Sequence, residues 1–259
     1  MPKLAIGWRN WGLKHCLLPA KSISKMMDET HEDVRLLPQK DSHPETSDPV
    51  RKRDAERTRG ALLKSGLKEF SQNGFMGTRM EKVAKGAKVN IRMLYHYFGD
   101  KKGLYNAVLE SAYAELRQEE ARIQIDLDKP LDGMLELAKF TFLYFQNNPL
   151  FEGLLHAENM MQGKFVSKLR PVPEGSFALR KTIRDLIDSG QAKGLFRMDI
   201  DPVNIYVTMT ALSRFHLANA HTMSAVLETD LRDKAWREQR LQHTLDVITS
   251  YLVKPSILR

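Results

Sequence analysis

The sequence holds one cysteine, Cys16, so no internal disulfide can form, and a reducing interior fits better than an oxidising exterior. No apolar run approaches the ~20 residues a membrane helix needs, so no membrane partner is expected. The opening segment is broken by Arg9, Asn10, Lys14 and His15 and lacks the continuous apolar stretch of a signal peptide. There is no glycine-rich phosphate loop and no Gly-x-Ser-x-Gly elbow. The eight histidines are dispersed, none forms a His-Glu-x-x-His pair, and His216 and His221 stand five apart, off one helical face. These absences argue against an enzyme, a metal and a cofactor. No stretch alternates as a strand should, and no repeat has solenoid period.

What the sequence does have is unevenly placed positive charge. Residues 51–110 carry 14 Lys+Arg against 6 Asp+Glu, an excess of 8 that equals the net charge of the whole chain. The residues on either side are balanced. A basic segment of this kind fits a polyanionic partner, most often nucleic acid, although a solvated basic face is the plainer reading of charge alone.

Residues 1–52 read as a tail expected to be disordered, rich in proline and polar residues. Trp8, Trp11 and Leu17 leave open a short sticky segment, and Met26 and Met27 leave open a later natural start. From Arg53 the pattern turns helical, with Leu63, Leu67 and Phe70 at i, i+4, i+7. Asn73-Gly74 is expected to end that helix. Thr78 then reads as the N-cap of a short second helix, with Glu81 completing a capping box and Met80, Val83, Ala84 and Ala87 facing inward. Asn90 caps a third helix, whose apolar positions are Ile91, Leu94, Tyr95 and Phe98. Asp100 caps a fourth, from Lys101 to about Arg122. Further helices are expected over Leu131 to Asn147, Pro149 to Gln162, Pro173 to Ser189, Asp201 to Ala220 and Arg232 to Val253. The expectation is an all-α chain of about nine helices.

The second and third helices, joined by "KGAKV", fit a helix-turn-helix whose second helix enters a major groove. Its first residues, Ile91, Arg92 and Met93, would meet base edges. Arg92 can fork to guanine, and Ile91 and Met93 can touch thymine methyls. Tyr95, His96 and Tyr97 would reach phosphates, and Lys101 would add its ammonium to free amides at the start of the next helix. Any one of these tyrosines or lysines alone would more often be core or surface; the joint spacing carries the reading.

The stretch "GFMGTRMEKVAKGAKVNIRMLYHYFGDKKGLYNAVL", and "LYHYFGDKKGL" above all, resembles the DNA-binding domain of the TetR (tetracycline repressor) family of bacterial regulators. The resemblance covers about Arg53 to Ala112. It implies a helix-turn-helix domain over 53–100 and a helical regulatory and dimerisation domain over 101–259, with the helix from 101 to 122 connecting them. It also implies DNA contacts at Thr78 and Arg79, at Ile91, Arg92 and Met93, and along the backbone at Tyr95, His96, Tyr97 and Lys101. Three positions depart from the family pattern. Lys88 stands where the turn usually has glycine, and must take a left-handed conformation or shift the turn. Asn90 replaces a usual Ser or Thr, and Arg92 a usual small residue.

The second half matches the family less closely, through "NNPLFEGLLHAENMMQGKF" and "NAHTMSAVL". The resemblance implies a homodimer on a palindromic double-stranded DNA operator, with recognition helices ~34 Å apart, responding to an unknown small-molecule effector in the bacterial cytoplasm, at the nucleoid. The apolar stripes Ile205, Met209, Leu212 and Leu241, Leu245, Ile248, Leu252 are the expected interface. Polar residues embedded in the middle helices, Tyr144, His156, Glu158, Asn159, Arg214 and His216, are the candidate effector contacts, of which two or three are expected to serve. An architectural DNA-binding protein whose second half only dimerises is the rival reading.

Overall fold

The computed structural model describes residues 49–257, with side chains from residue 53 onward. The expected tail lies outside the described residues except for its last four positions, which belong to the first helix. Among the described residues eleven α-helices follow one another: α1 (Pro49–Gly77), α2 (Met80–Ala87), α3 (Ile91–Phe98), α4 (Lys101–Glu120), α5 (Pro130–Asn147), α6 (Pro149–Met160), α7 (Pro171–Gly175), α8 (Phe177–Ala192), α9 (Pro202–Ala218), α10 (Ala220–Leu227) and α11 (Lys234–Leu252). A 3-10 turn, Val166–Lys168, lies between α6 and α7. Among the described residues the only β-type pairing is an isolated antiparallel bridge, Phe196 to Val253, which ties the turn after α8 to the end of α11. The all-α expectation holds. One expected helix is divided, at Ser176, and α10 follows α9 where no helix was expected.

The local signals of the first hundred residues act unequally. Asn90 caps α3 by accepting from the Arg92 amide at 2.9 Å, and Asp100 caps α4 by accepting from the Gly103 amide at 2.6 Å. The expected capping box at Thr78 does not form. Arg79 is the N-cap of α2 and gives no side-chain bond. Thr78 is 3% exposed, and its hydroxyl donates to the carbonyls of Glu69 and Gly74 at 3.1 and 2.8 Å. Gly74 has φ 63° and ψ −179°, which kinks the end of α1 and brings those carbonyls within reach.

Lys88 does take the left-handed conformation, at φ 57° and ψ 39°. Around it the Val89 amide donates to the Ala84 carbonyl at 3.0 Å and the Lys88 amide to Lys85 at 3.1 Å, so the turn closes in a Schellman geometry without glycine. Val89 is half-buried against the core. A left-handed residue with a Cβ costs about 1–2 kcal/mol, partly offset because lysine restricts the unfolded chain more than glycine does. Lys88→Gly is therefore expected to raise stability by up to about 1 kcal/mol in urea denaturation, and an unchanged or lowered midpoint would show that the turn carries no strain.

Two hydrophobic cores organise the described residues. The first joins α1–α4 to Tyr144, Phe145, Phe151, Leu154 and Phe165, so it crosses the expected division at residue 100. Tyr105 is its centre, with Phe70, Phe75 and Phe165 ring centroids at 4.8, 5.2 and 4.9 Å. The second core holds α5, α8, α9 and α11, through residues such as Met134, Ile183, Phe196 and Ile248. Helix α6 packs along α1. Where they meet, a Cβ on Gly153 would fall 2.9 Å from the Ser71 carbonyl oxygen, a distance that requires glycine.

Candidate nucleic-acid interface

Helix α3 is held by one face and offered by the other. Leu94 is completely buried, while Ile91, Tyr97 and Phe98 are half-buried against the first core. Arg92 and His96 are exposed, as are Met93 (39%) and Tyr95 (44%). The outward row is thus short: a guanidinium, a thioether, a phenol and an imidazole along two turns. Of the nine residues expected to contact DNA, Arg79, Arg92, Met93, Tyr95 and His96 present exposed side chains, and Ile91, Tyr97 and Lys101 are half-buried. Thr78 is the exception: burial and its two inward hydrogen bonds remove its hydroxyl from any ligand.

Lys101 has a second task. Its ammonium donates to the Met76 carbonyl at 3.2 Å and lies 5.2 Å from the Phe75 ring centroid. Burial pulls its pKa below the ordinary lysine value. The contact fastens the start of α4 to the corner between α1 and α2, and leaves two ammonium protons for a phosphate. The neighbouring anion site is smaller than expected, because the Asp100 carboxylate already occupies the Gly103 amide. Around this face Lys82, Lys85, Lys88 and Lys102 are exposed, and none has a carboxylate within 4.0 Å among the described residues. Sequence reasoning passed over Met76, which is 82% exposed at the α1–α2 corner. Its only signal was an apolar residue inside the connecting segment "NGFMG". Arg59 was also passed over; its guanidinium lies 5.7 Å from the Phe98 ring centroid and braces the end of α3 from α1.

The residues expected to hold an effector do not converge. Glu158 is buried, and its carboxylate is occupied by the Tyr105 hydroxyl at 3.0 Å and the Phe165 and Val166 amides at 2.7 and 2.9 Å. Arg214 is tied to Glu152 by two bonds of 2.6 and 2.8 Å. Asn159 is exposed and folds back on the Leu155 carbonyl. His216 is buried between Phe142 and Trp236. Tyr144 lines a cleft of about 560 Å³ among α1, α4 and the α5–α6 corner, with its phenol pKa pushed up to about 12 by burial first and then by nearby glutamates. His156 lines a different cleft, of about 500 Å³, between α6, the end of α9, α10 and the start of α11. The six project from different faces of α5, α6 and α9, which linear spacing does not reveal.

The expected interface stripes are likewise corrected. Ile205, Met209, Ile248 and Leu252 are at most 1% exposed and belong to the chain's own second core. Only Leu212, Leu241 and Leu245 keep partial exposure. The solvent face of α9 instead carries Val203 (60%), Val207 (57%) and Phe215 (55%), with Ala211 between them.

A capped recognition helix crossed by a short helix, displayed on a basic surface and braced against a larger helical body, defines a helix-turn-helix DNA-binding protein. Residues 62–108 match the family described as bacterial regulatory proteins, tetR family, and residues 130–248 match the tetracyclin repressor-like C-terminal domain. The chain is 40% identical over 185 residues to the HTH-type transcriptional repressor NicS of Pseudomonas putida, covering 71% of this chain and 87% of that protein. It is 25% identical over 203 residues to the HTH-type transcriptional regulator RutR of Escherichia coli, covering 76% and 92%. Among solved structures, the fold is similar to that of the transcriptional regulator SCO4942 of Streptomyces coelicolor, with a TM-score of 0.59 at 20% identity, covering 76% of this chain and 99% of that one. The chain belongs to the tetR family of bacterial transcriptional regulators and is not an enzyme. Among the described residues no helix is long and apolar enough to cross a membrane.

Proposed function

We propose that the protein is a transcriptional repressor that binds a palindromic operator in the bacterial cytoplasm as a homodimer and leaves it when a small molecule binds its C-terminal domain. The observation that carries this reading is the outward row of α3, with Arg92, Met93, Tyr95 and His96 exposed around a buried Leu94. Arg92 reads a guanine and Met93 a thymine methyl, while Arg79, Tyr95, His96, Tyr97 and Lys101 fix the register on phosphates. Ile91 reaches the groove only with its free edge. Thr78 positions the α1–α2 corner from inside, and Met76 at the same corner meets the groove wall. A lone eight-residue helix buries too little surface for tight specific binding, so a second copy is needed. The α9 row of Val203, Val207, Ala211 and Phe215, with the partly exposed Leu212, Leu241 and Leu245 beside it, is the surface assigned to that pairing. Resemblance to a repressor by name supports the direction of regulation.

The test contrasts two substitutions on the operator recovered by sequencing DNA that the protein enriches. Arg92→Ala is expected to relax preference at one position in each half-site, a loss of about 1–3 kcal/mol of discrimination there. Lys101→Ala is expected to weaken all sequences alike and to reduce the salt slope by about one counterion. An unchanged binding logo for Arg92→Ala would remove α3 from base readout.

A further inference from the structure

The cleft between α6, α9, α10 and α11 joins an apolar wall to a cation that the chain leaves unneutralised. Phe145, Pro149, Leu217 and Leu231 supply the wall. Gln146, His156, His221, Arg232 and Arg237 carry nitrogen donors there, and Glu152 adds a carboxylate. Arg237 has no carboxylate within 4.0 Å among the described residues, and its Nε is shielded from water without a hydrogen-bond partner. Such a donor is costly to leave unmade. The other two arginines near the cleft are already committed. Arg214 is chelated by Glu152, whose own charge it cancels, and Arg232 is bonded to Asp230 at 2.9 Å. The Asp230 carboxylate feels the field of Arg237, but Arg232 takes its hydrogen bonds.

From this arrangement we infer that the cleft receives a small organic monoanion, a carboxylate on a compact apolar body, with the carboxylate on Arg237 and imidazole donors of His156 and His221 beside it. The inference rests on the effector-responsive reading above and gives that effector a place and a chemical class. The volume, about 500 Å³, suits a ligand of this size. A charge-assisted, bidentate contact to guanidinium is the strongest orienting bond such a site can offer. The cleft also has a direct line to the DNA-binding end. Helix α6 forms one wall through Gly153 and His156, and at Gly153 it lies against the Ser71 carbonyl of α1. A ligand that pushes α6 toward α1 must therefore displace α1, because no slack separates the two backbones at Gly153. Only differential affinity for the two positions of α6 shifts the operator equilibrium.

The experiment is calorimetric titration of the full chain with benzoate, cyclohexanecarboxylate and hexanoate, each paired with its primary amide. At least one acid is expected to bind at millimolar concentration or below, with its amide weaker by about tenfold or more. Arg237→Met is expected to lose that preference and Arg237→Lys to keep part of it, with circular dichroism reporting that both variants fold. Three outcomes overturn the inference: none of the acids binds, acid and amide bind alike, or Arg237→Met keeps the preference. Operator binding by the unliganded chain is measured separately. Its absence counts against the repressor reading and leaves the ligand class to the calorimetry.

Discussion

Phe215→Glu is expected to split the proposed homodimer and to weaken operator binding by about 100-fold or more, as the second half-site contact ceases to be intramolecular. Phe215 is 55% exposed on α9, on the face that carries Val203 and Val207 at similar exposure. A row of large apolar side chains left in water along one helix is unusual for an isolated chain and natural for a two-fold contact, where burying each phenylalanine contributes about 1.5–3 kcal/mol. A two-fold interface contains every residue twice, so glutamate at 215 introduces two carboxylates and removes two rings. The chain itself should still fold, because the ring takes no part in either core. Sedimentation and gel shift at matched concentration check both halves of the expectation. Should the variant remain dimeric with native affinity, pairing lies elsewhere, with the groove that Leu241 and Leu245 line beside α5 as the next surface to test.

The interface also shows where sequence reasoning stops. Ile205, Met209, Ile248 and Leu252 obey helical spacing as well as any interface would, yet they face α5 and α8 within the same chain. Both faces of α9 are apolar, and a period of 3.6 residues marks a stripe without naming its partner. Only packing of α5 against α9 decides which stripe remains outside. The helix-turn-helix was legible for the opposite reason. Asn90, Asp100 and the left-handed Lys88 act on amides within a few residues of themselves, so short-range chemistry is sufficient. Thr78 failed because a nonlocal acceptor won: the kink at Gly74 offered it carbonyls from α1 in place of the amides of α2. The six candidate effector residues lie apart because convergence is tertiary. Glu158 looked like a polar lure in an apolar helix, and its carboxylate is used instead to hold the amides of the following turn and the hydroxyl of Tyr105. Arg237, which carries the inferred anion site, reads in the sequence as an ordinary surface charge, since its place in the cleft and its unmet Nε exist only in the fold.

His216 supplies the second large effect, and its origin is burial. The ring is 2% exposed, stacked on Phe142 at 5.1 Å and tilted against Trp236 at 5.7 Å. Neither ring nitrogen makes a hydrogen bond of normal geometry. Loss of hydration lowers its pKa from 6.5 to about 4, and the charges of Arg240 and Arg237 on α11 push the same way. The Leu212 carbonyl, one turn back on α9, favours the charged ring but does not offset burial and the two arginines. The nearby Ser213 and Thr244 are buried but not titratable, each donating to a carbonyl one turn back. The neutral ring is therefore the folded form. The unfolded chain accepts a proton near pH 6.5, the folded one only near pH 4, so stability present above pH 6.5 falls as the pH drops toward 4. The full loss is about 3 kcal/mol, a large part of a typical domain's margin. Glu120 works in the opposite sense, since burial raises its carboxyl and protonation there favours the fold. The measurement is thus a difference. Urea midpoints for the native chain and for His216→Phe, taken at one protein concentration from neutral pH to pH 4, should diverge, with the phenylalanine variant keeping the stability the native chain loses. The aromatic replacement preserves the stack on Phe142 and Trp236 and removes the proton site. Parallel curves would mean that another group governs acid sensitivity and that the His216 ring meets water more readily than its packing implies.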